Sequence, residues 1–174
     1  MRILLLFFGL ISLFGCKSID PTDPFGRALP VRPNWSVKVE APDPRGVLCY
    51  DCIYYAKLPG DPEYDIPAAY SAYRFWASGH VMHRTLMEFP TQEAMDRFGD
   101  DSRFGFYKIE NSRIFIELFS TVAGGTYGIN EGLMRDGELF LEIGYLRHRR
   151  GSPFERNREY QIISKQDFEL EPDW

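Results

Sequence analysis

The sequence is poor in the residue types that most catalysis and metal binding require. It has three histidines and three cysteines in 174 residues. His80 and His83 are three positions apart, a spacing that puts them on opposite faces of a strand, so they do not form a joint metal site. No second cysteine pair completes a zinc set. There is no Walker loop, nucleophile elbow or Ser/His/Asp arrangement. No apolar run reaches the ~20 residues needed to span a hydrocarbon core. Positive charge is also short: 20 Lys and Arg face 25 Asp and Glu, for a net −5. That balance argues against nucleic acid as the main partner. No cofactor is implied.

What is present points to a folded, strand-rich chain. Hydrophobic residues make up 44% and charged residues 26%, enough of each for a buried core. Aromatic residues are 16%, mostly Phe and Tyr, types that favour strands.

The start of the chain is the most specific stretch. Arg2 is followed by an apolar run of twelve residues, Ile3 to Phe14, the length of a secretory h-region. The run ends in Leu13-Phe14-Gly15-Cys16. This resembles a bacterial lipobox. The resemblance implies that residues 1–15 are a lipoprotein signal peptide and that Cys16 is the lipidated first residue of the mature chain. Palmitate-type acylation of Cys16 would then bind the bilayer, each buried methylene contributing ~0.8 kcal/mol. A plain secretory signal and a short uncleaved anchor are the other readings of the same run. Lys17, in place of an inner-membrane Asp signal, favours the outer membrane. Residues 17–33 hold four prolines and read as a tether with a reach of roughly 50 Å if fully extended. Residues 16–33 are thus the lipidated cysteine and Pro-rich tether, and 34–174 the folded domain.

Within that domain, alternation of Trp35, Val37 and Val39 with polar residues predicts a strand over 34–40. Further strands are expected at Ile53–Leu58, Tyr70–Trp76, His80–Leu86, Phe106–Glu110, Arg113–Phe119, Thr126–Met134, Glu138–Arg147 and Glu159–Ser164. Ala77-Ser78-Gly79, Asn111-Ser112 and Arg135-Asp136-Gly137 supply the tight turns. Thr91 as N-cap and Gly99 as stop predict one short helix. The fold class is therefore all-β: an antiparallel up-and-down meander closing into a barrel, with one short helix. In order and spacing the strands are similar to lipocalin-like lipoproteins of bacteria.

Several residues are candidates for chemistry. With Cys16 assigned to lipid, Cys49 and Cys52 remain as an even count in an oxidising compartment. A disulfide between them requires a turn, because a straight strand would hold their ends ~10 Å apart. Free thiols and a redox pair are the alternatives. Arg147, Arg149, Arg150, Arg156 and Arg158 form one basic concentration suited to an anionic envelope component. Glu131 shares a strand face with Tyr127, Ile129 and Leu133, which makes it a candidate polar group inside the barrel. Tyr73, Phe75 and Tyr107 are candidates to line a cavity for a small apolar ligand. Together these features suggest a membrane-anchored cell-envelope lipoprotein, non-catalytic, with a ligand-binding barrel. A structural or interaction lipoprotein with a filled core is the alternative, and a small hydrolase-type enzyme a third.

Overall fold

A computed structural model describes residues 19–20, 29–97, 102–121, 125–136, 138–142, 157–163 and 168. Ten strands follow in order: β1 Ile19–Asp20, β2 Leu29–Pro30, β3 Ile53–Leu58, β4 Ala69–Phe75, β5 His80–Leu86, β6 Arg103–Glu110, β7 Arg113–Ser120, β8 Thr126–Arg135, β9 Glu138–Glu142 and β10 Asn157–Ile163. One helix, α1 Gln92–Met95, and a 3₁₀ turn at Pro62–Tyr64 lie between strands. Strands β3 to β10 close into an eight-stranded barrel in which sequence neighbours pair antiparallel and β10 returns to β3. The chain thus forms the all-β, lipocalin-like meander that its patterning predicts, with one short helix among the described residues. Closure removes the unpaired sheet edges that an open meander would leave.

The turns follow from local chemistry. Gly79, at φ +90°, closes the β4–β5 hairpin, where Trp76 N–H donates to the carbonyl of His80. Asn111 and Ser112 both adopt positive φ, 52° and 66°, between β6 and β7, as a two-residue turn matched to strand twist requires. Thr91 caps α1, its hydroxyl accepting from Ala94 N–H at 3.2 Å. The regular helix is one turn long; Phe98 and Gly99, where its expected end falls, lie outside the described residues.

Two apolar clusters flank the barrel wall. The inner one joins Tyr54, Tyr73, Phe75, Tyr107, Ile114, Ile116, Leu118, Leu139, Leu141 and Tyr160, among others. Its lower half, towards the β4–β5, β6–β7 and β8–β9 turns, is tightly filled. Phe75 meets Tyr54 and Tyr107 edge to face at 5.4 and 5.1 Å; each such pair adds ~0.5–1.5 kcal/mol beyond burial. Tyr107 donates its hydroxyl to the carbonyl of Trp76 at 2.9 Å. Residues 41–52 cap this lower end. Asp43 accepts from the backbone of Val47 and Leu48 and from Tyr50 Oη. Cys49 and Cys52 are bonded to each other with their Cα atoms 5.4 Å apart, and Cys49 N–H donates to Tyr54 Oη at 2.8 Å. This bend is the turn that the spacing demands.

The second cluster lies on the outside, where Ile53, Ala72, Trp76, Met82 and Phe104 meet Met95 of α1 and Leu29 of the N-terminal segment. Arg74, 3% exposed, fixes α1 here. Its guanidinium pairs with Asp96 at 2.8 Å and lies over the rings of Trp76 and Phe168. Arg84 donates to the carbonyls of Ala94 and Arg97 at the far end of the same turn.

The N-terminal segment differs from its expected form in two ways. Ile19 pairs with Pro30 and Asp20 with Leu29, so these two described segments lie side by side, where a straight run would hold them apart. Residues 34–40, expected as a strand, form no ladder. They run as a strap down the outside of β6–β8. The alternation has a different cause: Trp35 packs edge to face on Phe106 and Tyr127 at 5.2 and 4.8 Å, and Val37 is buried, while Lys38 lies over Phe106. The backbone donors of Ser36 and Val37 go to the carboxylate of Glu117, at 2.7 and 3.0 Å, and Ser36 Oγ adds a third bond at 3.0 Å.

Candidate functional site

The upper half of the barrel interior has a different character from the lower. Residues opposite each other on neighbouring strands share a face. Tyr73 on β4 lies opposite His83 on β5, and His83 lies opposite Arg103 on β6. The three form one row across the inner wall, because Phe104 beside Arg103 belongs to the outer cluster. Alternation puts Ser71 and Thr85 on the same inner face. Asn130 enters from β8 opposite Ile116, and Tyr160 from β10 opposite Leu139.

These side chains form one polar network. Ser71 Oγ is 2.9 Å from His83 Nε2 and 2.8 Å from Tyr160 Oη. Tyr73 packs edge to face on Tyr160, ring centroids 5.4 Å apart, and receives Asn130 Nδ2 at 3.4 Å. The Tyr73 and His83 rings are 4.5 Å apart. Burial holds the phenol of Tyr73 well above the usual tyrosine range, with the neighbouring Tyr160 adding to the shift. Burial also lowers His83 to about 3, helped by the positive Arg103. His83 is therefore neutral at ordinary pH, and its Nδ1 has no hydrogen-bond partner among the described residues. Arg103 is exposed at the upper rim, and among the described residues no carboxylate pairs with it. Above Asn130, Gly128 lies opposite Leu118, and a Cβ added to it would meet no atom within 4 Å. The interior is thus packed below, and at the upper rim Gly128 borders open space.

Ser71 and His83 have the contact distance of a nucleophile and its base. The rest of a hydrolytic site is not built around them. A catalytic histidine needs a group that fixes its tautomer through the other nitrogen, and Nδ1 of His83 lacks one among the described residues. Tyr160 further occupies the serine oxygen. Among the described residues the arrangement is a set of hydrogen-bonded groups.

The residues singled out from the sequence fall in several places. Tyr73, Phe75 and Tyr107 do face inward, but Phe75 and Tyr107 fill the lower barrel instead of lining an apolar cavity. Glu131 is not interior. Its side chain is 47% exposed and pairs with Arg113 at 2.8 Å on the outer wall. Ile129 and Leu133 share that outer face and are exposed. The inner positions of β8 are Gly128, Asn130, Gly132 and Met134; at Gly132 an added Cβ would come within 2.7 Å of Leu141 Cδ2, whereas at Gly128 it would meet nothing within 4 Å. His80 and His83 do lie on opposite faces: His80 contacts Phe106 and Ser78 outside. Cys16, Arg147, Arg149, Arg150 and Arg156 lie outside the described residues, as does the side chain of Arg158.

Ser71, Asn130, Arg103, Glu117 and Tyr160 were not legible as functional positions. The β4–β5 hairpin spacing could have placed Tyr73 opposite His83, but Tyr160 reaches the site only through closure by the last strand. No described helix is long and apolar enough to cross a membrane. Compared with known proteins, the chain matches no family model, no curated protein and no solved structure.

Proposed function

We propose that this protein is a lipid-anchored lipoprotein of the bacterial cell envelope, carried on the outer membrane by acylated Cys16, whose barrel is a non-catalytic binding module for a small ligand. The lipobox-like run ending at Cys16 supports the address. The observation that carries the binding reading is the asymmetry of the interior. A barrel serving only as scaffold gains by filling its core to native density. Here the lower half is filled, while at the upper rim Gly128 opens on empty space, and the buried His83 keeps an imidazole nitrogen with an unmet hydrogen bond among the described residues. Such a nitrogen costs ~1–3 kcal/mol in isolation, a cost that a bound ligand would relieve.

Two measurements test the two halves of this reading. Labelled palmitate should enter the wild-type chain and not Cys16→Ala; labelling that survives the substitution sinks the anchor. Native mass spectrometry of the full chain extracted from its own membranes should show a bound small molecule, lost in Gly128→Trp. A wild-type protein that carries nothing, and a Gly128→Trp protein that is simply more stable, would make the barrel a structural element.

A further inference from the structure

The direction of the polar network identifies what the open end of the barrel would hold. Asn130 presents its amide nitrogen to Tyr73, and an amide nitrogen can only donate. Tyr73 Oη therefore accepts from Asn130, and its ring lies against that of Tyr160, centroids 5.4 Å apart. Ser71 Oγ is 2.8 Å from Tyr160 Oη and 2.9 Å from His83 Nε2, and one proton order, Tyr160 to Ser71 and Ser71 to Nε2, gives each of these two contacts a donor and an acceptor. Nε2 is then the acceptor of a neutral ring, and the ring proton sits on Nδ1. In that order the donor left over at His83 is its Nδ1–H, which is buried at 8% exposure with no partner among the described residues. Directly across the ladder from it stands Arg103, a fixed cation with no carboxylate partner among the described residues.

We propose that His83 Nδ1–H and the Arg103 guanidinium form a binding site for the carboxylate of a compact organic acid, entering from the open end of the barrel. This deepens the ligand-binding reading above and rests on it. One guanidinium offers one positive charge, which a single carboxylate neutralises. A phosphate dianion would keep an uncompensated charge against a partly apolar wall, at a large desolvation cost. The planar fork of arginine and a ring N–H beside it match two carboxylate oxygens. The size limit follows from the packing below. Phe75, Tyr107 and Ile116 are fully buried and leave no channel for a long alkyl chain, so the body of the acid lies towards the rim, by Gly128, Thr85 and Thr126.

The full chain in detergent, labelled with ¹⁵N at histidine, provides the test. At pH 7 the ring nitrogens of His83 should report the Nδ1–H tautomer; the Nε2–H tautomer overturns the assignment. Titration with sodium hexanoate should shift the His83 ring nitrogens saturably, and Arg103→Gln should weaken binding at least tenfold, while Arg113→Gln on the outer wall leaves it unchanged. Inorganic phosphate and 1-hexanol should each bind at least tenfold more weakly than hexanoate. Equal binding of phosphate overturns the choice of carboxylate, and equal binding of hexanol overturns the role of charge. A barrel that carries an uncharged native ligand by mass spectrometry refutes this inference while leaving the binding module intact; one that carries none refutes the module as well.

Discussion

Substituting Glu117 probes how the N-terminal strap is held. Its carboxylate is 3% exposed and accepts three hydrogen bonds from Ser36 and Val37. Glu117→Ala strands all three donors at once. Hydrogen bonds to a charged acceptor are worth ~1.5–3 kcal/mol each, but the full amount is not lost, because Ser36 is exposed and its donors rehydrate once the strap lifts. The remaining grip is apolar: buried Val37 contributes ~1.5 kcal/mol and half-buried Trp35 adds its edge contacts. The free energy that holds the strap closed should therefore fall by about 3 kcal/mol, a change of roughly 150-fold in its opening equilibrium. Glu117→Gln can set its carbonyl oxygen where Oε2 takes both backbone N–H groups and its NH₂ towards Ser36 Oγ, but it removes the charge that strengthens all three bonds. It should cost about half as much, roughly tenfold. Hydrogen exchange read by mass spectrometry on peptides covering 34–40 measures this directly, with peptides of β7 and β8 as internal reference. Strap protection unchanged in Glu117→Ala would refute the reasoning. So would accelerated exchange of β7 in step with the strap, since the loss would then be one of the barrel and not of its covering.

Other perturbations read other parts of the molecule. Arg74→Ala leaves Asp96 without its partner and removes a cation from between two rings, and should destabilise the domain by about 3 kcal/mol, seen as a lower denaturant midpoint with loss of α1 protection. His83 has its pKa lowered to about 3 in the fold, against ~6.5 when unfolded. The unfolded chain therefore takes up a proton that the folded chain refuses, and stability is full above pH 6.5 and falls as pH drops towards 3. Between pH 6.5 and 5 this one residue should contribute a slope approaching ~1.4 kcal/mol per pH unit; His83→Asn should flatten it, and an unchanged slope counts against burial of the neutral ring. The disulfide of Cys49 and Cys52 closes a loop with a sequence separation of three, so a Cys49→Ser, Cys52→Ser variant should lose about 2 kcal/mol by the chain-entropy account, measured as a shift in unfolding midpoint.

Strand order and turn positions were readable from the sequence because each depends on neighbours. Alternation set Ile53–Leu58 and His80–Leu86, and turn residues with positive φ, Asn111, Ser112 and Gly79, set the hairpins between strands. Facing was harder. Ile129 and Leu133 marked one side of β8 as apolar, and apolar suggested inside. The inner side instead carries glycine and asparagine: at Gly132 the neighbouring Leu141 leaves no room for a side chain, and Asn130 reaches Tyr73. The strap shows the same limit in another form. Trp35 and Val37 alternate as a strand would, since both turn to an aromatic wall, yet the backbone between them is bonded to a side chain on β7. Nothing in residues 34–40 reveals that acceptor. The polar network was hidden for a related reason: Ser71, His83, Asn130 and Tyr160 lie on four strands, and only barrel closure brings the last strand against the first.

The course of the strap also bears on mechanics. It meets Tyr127 near the upper rim through Asn34 N–H, at 3.1 Å, passes Glu117, and reaches the lower end where Pro42 accepts from Ile109 N–H. A pull on the N-terminal segment from beyond the rim is directed along this line. The three bonds to Glu117 would then bear tension together, in shear, instead of parting one after another as in peeling. A single buried carboxylate on the wall thereby becomes the point where a load on the N-terminal segment is passed to the closed barrel.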